Sequence, residues 1–304
     1  MFDEASFIIA VYLLICQSYR ELFPNGVRQR GIPPSLSDEE ALTIAIVGEY
    51  LQLERDKAIY EYFAKHYRAW FPGLKDRTLL VKQWANLWQV EQSIWQALVQ
   101  KSGANGSSIQ IIDTLPVPVC HLRRYKGRQI MPEDDGVITA DVGYCASKDL
   151  YYFGVKGGIR IASNGMIVHA PLLEARPHDS QHTEALLAGT PAGTIGLGDK
   201  GFIEAEAQAR YEATYELRLL TPLRQGMHDY GFTMPNSLTP LRQLIETVNA
   251  QLVERFHVQS MRVRKGWTLA AKWYRKILAH TVCVWLNLTL NQPPLNFAGL
   301  VCVK

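Results

Sequence analysis

Cysteine is scarce in this chain and nowhere set at metal-binding spacing. Cys16, Cys120, Cys145, Cys283 and Cys302 are odd in number, irregularly spaced and without a Cys-x-x-Cys pair. That excludes a disulfide framework and a zinc ribbon, and predicts reduced core thiols in a cytoplasmic protein. Long hydrophobic runs are missing too. The apolar stretch FIIAVYLLIC, residues 7–16, is too short to cross a bilayer; acids precede it and no small-residue cleavage site follows. It predicts a buried helix, suited to a subunit contact, and no membrane partner. No internal repeat and no low-complexity tract is present. Acid is absent from the C-terminal stretch: no Asp or Glu follows Glu254, whereas Arg255, Arg262, Arg264, Lys265, Lys272, Arg275, Lys276 and Lys304 are basic.

The net charge of +3 points to no partner by itself. Its distribution says more. Besides the C-terminal stretch, HLRRYKGR at residues 121–128 gathers Arg123, Arg124, Lys126 and Arg128. Clusters of this kind are either solvated faces or electrostatic footprints for phosphate.

A length of 304 residues allows one large domain or two ordinary ones. Residues 1–101 read as helical. Ser37 with Glu40 forms a capping box ahead of an apolar run, and a further helix starts near Asp76 with a stripe of Leu79, Leu80, Trp84, Leu87, Trp88 and Trp95. These aromatics fit a core better than base stacking. Residues 102–107 form a small-residue linker. From 108 to 304 the order becomes strand, strand, strand, helix, strand, helix, strand, helix. A hairpin turn falls at Asn164-Gly165, a helix capped by Asp179 or Ser180 ends before Gly189, and a helix over 240–257 is capped by Thr239 with Pro240 in its first turn. A final long helix covers roughly 269–290. This order predicts an α/β domain, a ribonuclease-H-like mixed five-stranded sheet flanked by helices, after an all-helical N-terminal domain.

Two acids share one context. Asp113 ends the apolar run SIQIID and Asp199 ends TIGLGD, and each precedes a break, Thr-Leu-Pro or Lys-Gly. If their strands are neighbours, two carboxylates meet at the sheet's edge. Like charges that close force one to hold a proton unless a hard divalent cation joins them. Turn and helix capping explain either acid singly. The helix after residue 240 offers a third acid, Glu246 or Glu254. Both lie off its apolar stripe of Leu241, Leu244, Ile245, Val248, Leu252 and Phe256, so periodicity leaves the choice open. Glu246 shares a face with Arg242 and Asn249.

The segments IIDTLPVPVC, GVKGGIRIASNGMIVHAPLLEARPHDS, GLGDKGF and LRQLIET together resemble the catalytic domain of DDE-type transposases of bacterial insertion sequences, in particular the insertion-sequence 982 family, over roughly residues 35–290. LSDEEALTI and FPGL are similar to that family's helical N-terminal region. The resemblance implies a ribonuclease-H-like fold and an Asp-Asp-Glu triad at Asp113, Asp199 and Glu246; the competing acids Asp134, Asp135 and Asp141 lie in or next to a Gly-containing loop with no strand directly before them and rank below Asp113. It implies two Mg²⁺ ions, for which Mn²⁺ can substitute, held by the triad. It further implies cleavage of transposon ends, transfer of the freed 3′-hydroxyl to target DNA, and a homodimer on paired inverted repeats in the bacterial nucleoid. Lys200 and Arg242 are expected at phosphate or beside Glu246. Arg123, Arg124, Lys126, Arg128, Arg262, Arg264 and Lys265 are expected along double-stranded DNA, and the helical region 1–101 is expected to read the repeats and dimerise. The alternatives are a ribonuclease-H-like nuclease or resolvase that only hydrolyses, and a catalytically inert DNA-binding regulator.

Overall fold

The computed structural model describes residues 1–28, 31, 33–127, 130–131, 138–145 and 148–301, with no side-chain description at 126 and 127. The acids Asp134 and Asp135, together with Arg128, Cys302, Lys304 and the Lys126 side chain, therefore lie outside the described residues. The chain divides into two units, one of residues 1–98, 252–258 and 267–304, the other of residues 99–251 and 259–266. Residues 267–304 thus group with the N-terminal helices, although chain order attaches them to the catalytic domain.

The first unit is helical: α1 Glu4–Leu22, α2 Asp38–Tyr50, α3 Asp56–His66, α4 Arg77–Asn86 and most of α5 Trp88–Lys101. The capping box forms as its sequence predicts, with the Ser37 side chain accepting from the Glu40 N–H and the Glu40 side chain accepting from the Ser37 N–H. Asp76 caps α4 through the Leu79 N–H. The aromatic stripe is core: Leu80, Trp84, Leu87 and Trp95 are buried. Leu79 is the exception at 60 % exposure, because α4 turns Leu80, Gln83 and Trp84 inward and carries Leu79 on its other side. The apolar N-terminal stretch is α1; it buries Phe7, Ile8, Val11 and Ile15, while Ile9 and Leu13 remain exposed.

The chain's last long helix, residues 266–289, places Arg275 and Lys276 in this unit's interior. Arg275 Nε donates to Glu49 Oε1 at 2.7 Å, its Nη2 to Asp56 Oδ1 at 2.8 Å, and Lys276 Nζ to Glu49 Oε2 at 2.6 Å. Four charges share a dry space, each satisfied by another. Glu91 lies fully buried nearby, and burial pushes its carboxyl up to about 8, against the pull of Arg275.

The second unit is built on β1 Ile109–Cys120, β2 Asp141–Cys145, β3 Leu150–Ala162, β4 Ile167–His169, β5 Leu172–Glu174, β6 Ile195–Leu197 and β7 Arg218–Leu220. The sheet runs β2-β3-β1-β6-β7, the five-strand width expected, and the short β4 and β5 add to it by pairing with β3. β1 and β3 are antiparallel; β1, β6 and β7 are parallel. This is the ribonuclease-H-like order. The hairpin turns at Asn164-Gly165, where Gly165 has φ +83° and Asn164 Oδ1 accepts the Met166 N–H.

Between β5 and β6 comes α6 Thr183–Leu187, after β6 comes α7 Ala205–Tyr215, and after β7 comes α8 Thr239–Ala250, which continues into a π turn, Gln251–Arg255. Ile112, Leu186, Leu187, Phe202, Tyr211 and Leu219 pack together beneath α6 and α7. Arg160, 2 % exposed in β3, donates to the Leu186 and Ala188 carbonyls, the unsatisfied acceptors at the C-terminal end of α6. α8 turns Ile245 and Val248 inward. Its predicted cap differs: Leu238, not Thr239, stands at the N-cap, and no side chain makes the capping bond.

Two tests follow from the buried charges of the helical unit. Glu49→Gln leaves Arg275 and Lys276 undercompensated and is expected to cost about 3–5 kcal/mol in denaturant unfolding. Glu91 has a raised folded value, so its contribution is full below the ordinary carboxylate range and is lost as pH climbs towards about 8. The Glu91→Gln protein should therefore match the wild type near pH 4 and be more stable than it above pH 8 by thermal unfolding.

Candidate active site

Asp113 does not end its strand. β1 continues through Pro116 and Pro118 to Cys120, so the predicted break at Thr-Leu-Pro is corrected. The reason is directional. Ile195 N–H donates to the Ser108 carbonyl, so even-numbered residues of β1 aim their backbone groups at β6. β6 pairs only with Ile109, Gln110 and Ile111. Further along, the even positions face an unpaired edge, where a proline gives up no ladder bond. The freed Pro116 carbonyl instead accepts Gln259 Nε2 at 3.2 Å.

The register then decides what meets. Ile111 stands opposite Leu197. Asp113 and Asp199 each lie two residues beyond that pair, at the point where β6 ends and β1 goes on. Asp199 turns the chain: its Oδ1 accepts the Gly201 N–H at 2.7 Å, capping the 3₁₀ turn Lys200–Phe202. A side chain at Gly201 would put its Cβ 2.8 Å from that oxygen. Asp113 Oδ1 accepts the Thr114 N–H at 2.7 Å, and its Oδ2 accepts Asn249 Nδ2 of α8 at 2.8 Å. Burial pushes the Asp113 carboxyl up to about 7; the Thr114 N–H opposes this, the negative charges of Asp199 and Asp179 add to it, and Arg242 opposes it.

Asp179 is the residue that sequence reasoning placed wrongly. His178, whose side chain accepts the Ser180 N–H, caps the 3₁₀ turn Asp179–His182 that leads into α6, while the Asp179 carboxylate places its charge near Asp113. Its Oδ1 accepts the Thr114 hydroxyl and Lys156 Nζ, each at 2.8 Å. Lys156 is buried in β3 and also donates to the Pro177 carbonyl at 2.6 Å. Lys156, one of two cations in a strand that is otherwise largely apolar and glycine-rich, was the signal that an acid faced it.

Glu246 sits on α8 one turn before Asn249, the residue that reaches Asp113. It is exposed, and Arg242 Nη2 holds its Oε1 at 2.8 Å. Glu254 lies in the π turn beyond α8. Lys200 is exposed beside Asp199, and its carbonyl accepts Arg224 Nη2 at 2.8 Å. Asp141 opens the outer strand β2, where it bonds its neighbour Val142 N–H.

The donor set is oxygen-rich and its charge is unbalanced, which suits a hard divalent cation. The buried Asn249 Oδ1 has no hydrogen-bond partner, and Asp113 is held between acids. Among the described residues no three His, Cys, Asp or Glu side chains already stand in metal-ligating geometry, since Glu246 is turned onto Arg242. Asp113, Asp199 and the free Asn249 Oδ1 offer the oxygen ligands that such an ion takes, whereas Glu246 is held on its arginine.

The two basic clusters, far apart in sequence, line one groove of about 740 Å³ at the far end of β1. His121, Arg123 and Arg124 come from the short turn Leu122–Gly127 and the residue before it; Arg262 and Arg264 come from the segment after the π turn. Lys265 is exposed next to them.

No curated protein and no solved structure matches the chain. The family model of the transposase DDE domain matches residues 103–266, more than half of the chain. That span holds the sheet, both register-matched aspartates, α8 and the arginine groove: the chain belongs to the DDE transposase family, whose members act on DNA.

Proposed function

We propose that this transposase cleaves the ends of an insertion sequence and joins the freed 3′-hydroxyl to target DNA, with Asp113, Asp199 and Glu246 as its triad. The observation that carries the reading is the matched position of Asp113 and Asp199 beyond the Ile111–Leu197 pair. The motifs around the three acids support placement within the insertion-sequence 982 family. Divalent ions, Mg²⁺ or in its place Mn²⁺, supply when bound the activation of the attacking oxygen and the stabilisation of the leaving one.

The chain's own residues do the positioning. Asn249 and the Thr114 N–H hold the two Asp113 oxygens in fixed directions. The Gly201 N–H does the same for Asp199. Lys156 and Thr114 hold the Asp179 carboxylate in place, so its negative field at Asp113 has a fixed source. Arg242 stores Glu246 outside the site and is the natural contact for a DNA phosphate once the glutamate swings in. Water attacks the end phosphate in the first step and the 3′-hydroxyl attacks target phosphate in the second, so no covalent protein–DNA bond forms. The reading includes a homodimer that pairs two inverted repeats in the cytoplasm, with the helical region 1–101 recognising them. Arg123, Arg124, Lys126, Arg128, Arg262, Arg264, Lys265 and Lys200 serve as phosphate contacts in it.

Asp113→Asn, Asp199→Asn and Glu246→Gln should each abolish Mg²⁺-dependent cleavage of terminal-repeat DNA while leaving end binding measurable. Near wild-type cleavage by any of them removes that residue from the triad. Asn249→Ala should slow cleavage about 10–100-fold, the usual effect of removing a group that orients a metal-binding side chain. Alanine at Arg262, Arg264 and Lys265 should weaken binding to all sequences alike and flatten the log-log salt slope by about 0.9 for each phosphate left without its cation. A pre-cleaved 3′-hydroxyl end with a plasmid target separates a transposase from a nuclease that only hydrolyses.

A further inference from the structure

We infer that the groove at the far end of β1 receives an unpaired nucleotide of the bound DNA, so that the protein engages a locally opened duplex and not a continuous one. The inference rests on the transposase reading and adds to it a form of substrate.

The groove's shape and chemistry both argue for this. Its described lining contains no Asp or Glu, and exposed Arg123, Arg124, Arg262 and Arg264 surround it. The interior is different: Pro118, the buried Val119 and Val263, and Ile130 give it an apolar lining. Paired DNA offers phosphates on a convex outer surface and keeps its bases stacked, so it needs the arginines but has no use for an apolar hollow. A nucleotide turned out of the stack offers both a phosphate and an uncharged ring. About 740 Å³ lies in the range of pockets that enclose a small ligand, about 300–1,000 Å³.

The backbone is also committed to this shape. Arg262 has φ +43°, a conformation that a side chain of its size rarely adopts. The segment carrying it is tied down on both sides. Gln259 accepts from Lys148 Nζ at 2.9 Å and donates to Pro116, and the Arg264 carbonyl accepts the Met131 N–H at 2.8 Å. The strained residue thus sits between two hydrogen-bonded ties on the wall of the groove.

Position fits as well. Pro118 and Cys120 stand five and seven residues beyond Asp113 on one strand, about 17–24 Å at the rise of an extended chain. B-form DNA advances about 3.4 Å per nucleotide, so for a DNA strand running along β1 the groove would stand about five to seven nucleotides from a phosphate held at Asp113.

The test uses binding of the full chain in EDTA, which separates it from the cleavage chemistry. A fluorescent duplex of arbitrary sequence is compared with the same duplex carrying two central unpaired thymines. The wild type should bind the second about tenfold more tightly, because the cost of unstacking is already met. Ser260→Trp fills the groove and keeps every charge; it should lose that preference with its affinity for the paired duplex unchanged. The double variant Arg124→Ala, Arg262→Ala should lose the preference and also bind the paired duplex more weakly. Equal wild-type affinity for the two probes overturns the inference, as does an intact preference in a Ser260→Trp protein whose circular dichroism and melting match the wild type. End cleavage with no preference between probes would sink the nucleotide site alone. A preference without cleavage of any repeat-bearing end would keep the site and sink the triad.

Discussion

Repulsion between carboxylates held in matching positions on neighbouring strands is the constraint around which the catalytic unit is arranged. Asp113 and Asp199 are brought together by the parallel pairing of β1 with β6, and that pairing extends over only Ile109–Ile111. Where it stops, β1 runs on and β6 turns away, opening a gap at the sheet's edge. The acids occupy the mouth of that gap. A backbone that holds two like charges there can be stable only if neighbouring dipoles and cations offset them, and the surroundings supply these one by one: the Thr114 and Gly201 N–H groups, the Asn249 amide, Lys156 against Asp179. Even so, burial pushes the Asp113 carboxyl up to about 7, and the negative charges of Asp199 and Asp179 add to that push.

The same strand links this site to the arginine groove. β1 carries Asp113 in its middle and Pro118–Cys120 at its end, so the distance between the acid and the basic hollow is set by strand geometry and not by a flexible loop. The prolines fit this role. They lie where β1 has no neighbour on one side, and the carbonyl freed at Pro116 anchors Gln259, the first tie of the basic segment. A device that excludes a further strand thus also brings the second arginine pair into place.

Much of the local structure was legible because its causes are local. The capping box at Ser37 and Glu40, the turn at Asn164-Gly165 and the inward aromatic stripe each depend on residues within a turn or two of one another. The strand and helix order likewise sufficed to anticipate the mixed sheet. Misreadings arose where a distant partner overrode a local preference. Asp179 has the chemistry of a helix cap, yet Thr114 and Lys156, both far from it in sequence, hold its carboxylate elsewhere and His178 takes the cap. Prolines read as a strand's end were interior to it, because whether they cost a bond depends on where β6 stops.

By itself the sequence determined most of the strands and helices, where acid and base are concentrated, and that two apolar strands each lead to an aspartate. Those features follow from side-chain periodicity, turn chemistry and composition, all of which act over short stretches. Only the tertiary structure decided that Asp113 and Asp199 share a register, that Asn249 and not Glu246 touches Asp113, that a buried lysine faces Asp179, and that two basic clusters close around one hollow. Each of these depends on which residues face each other across a sheet or from helix to strand. A shift of one residue in β1 would have turned every one of its side chains to the opposite face.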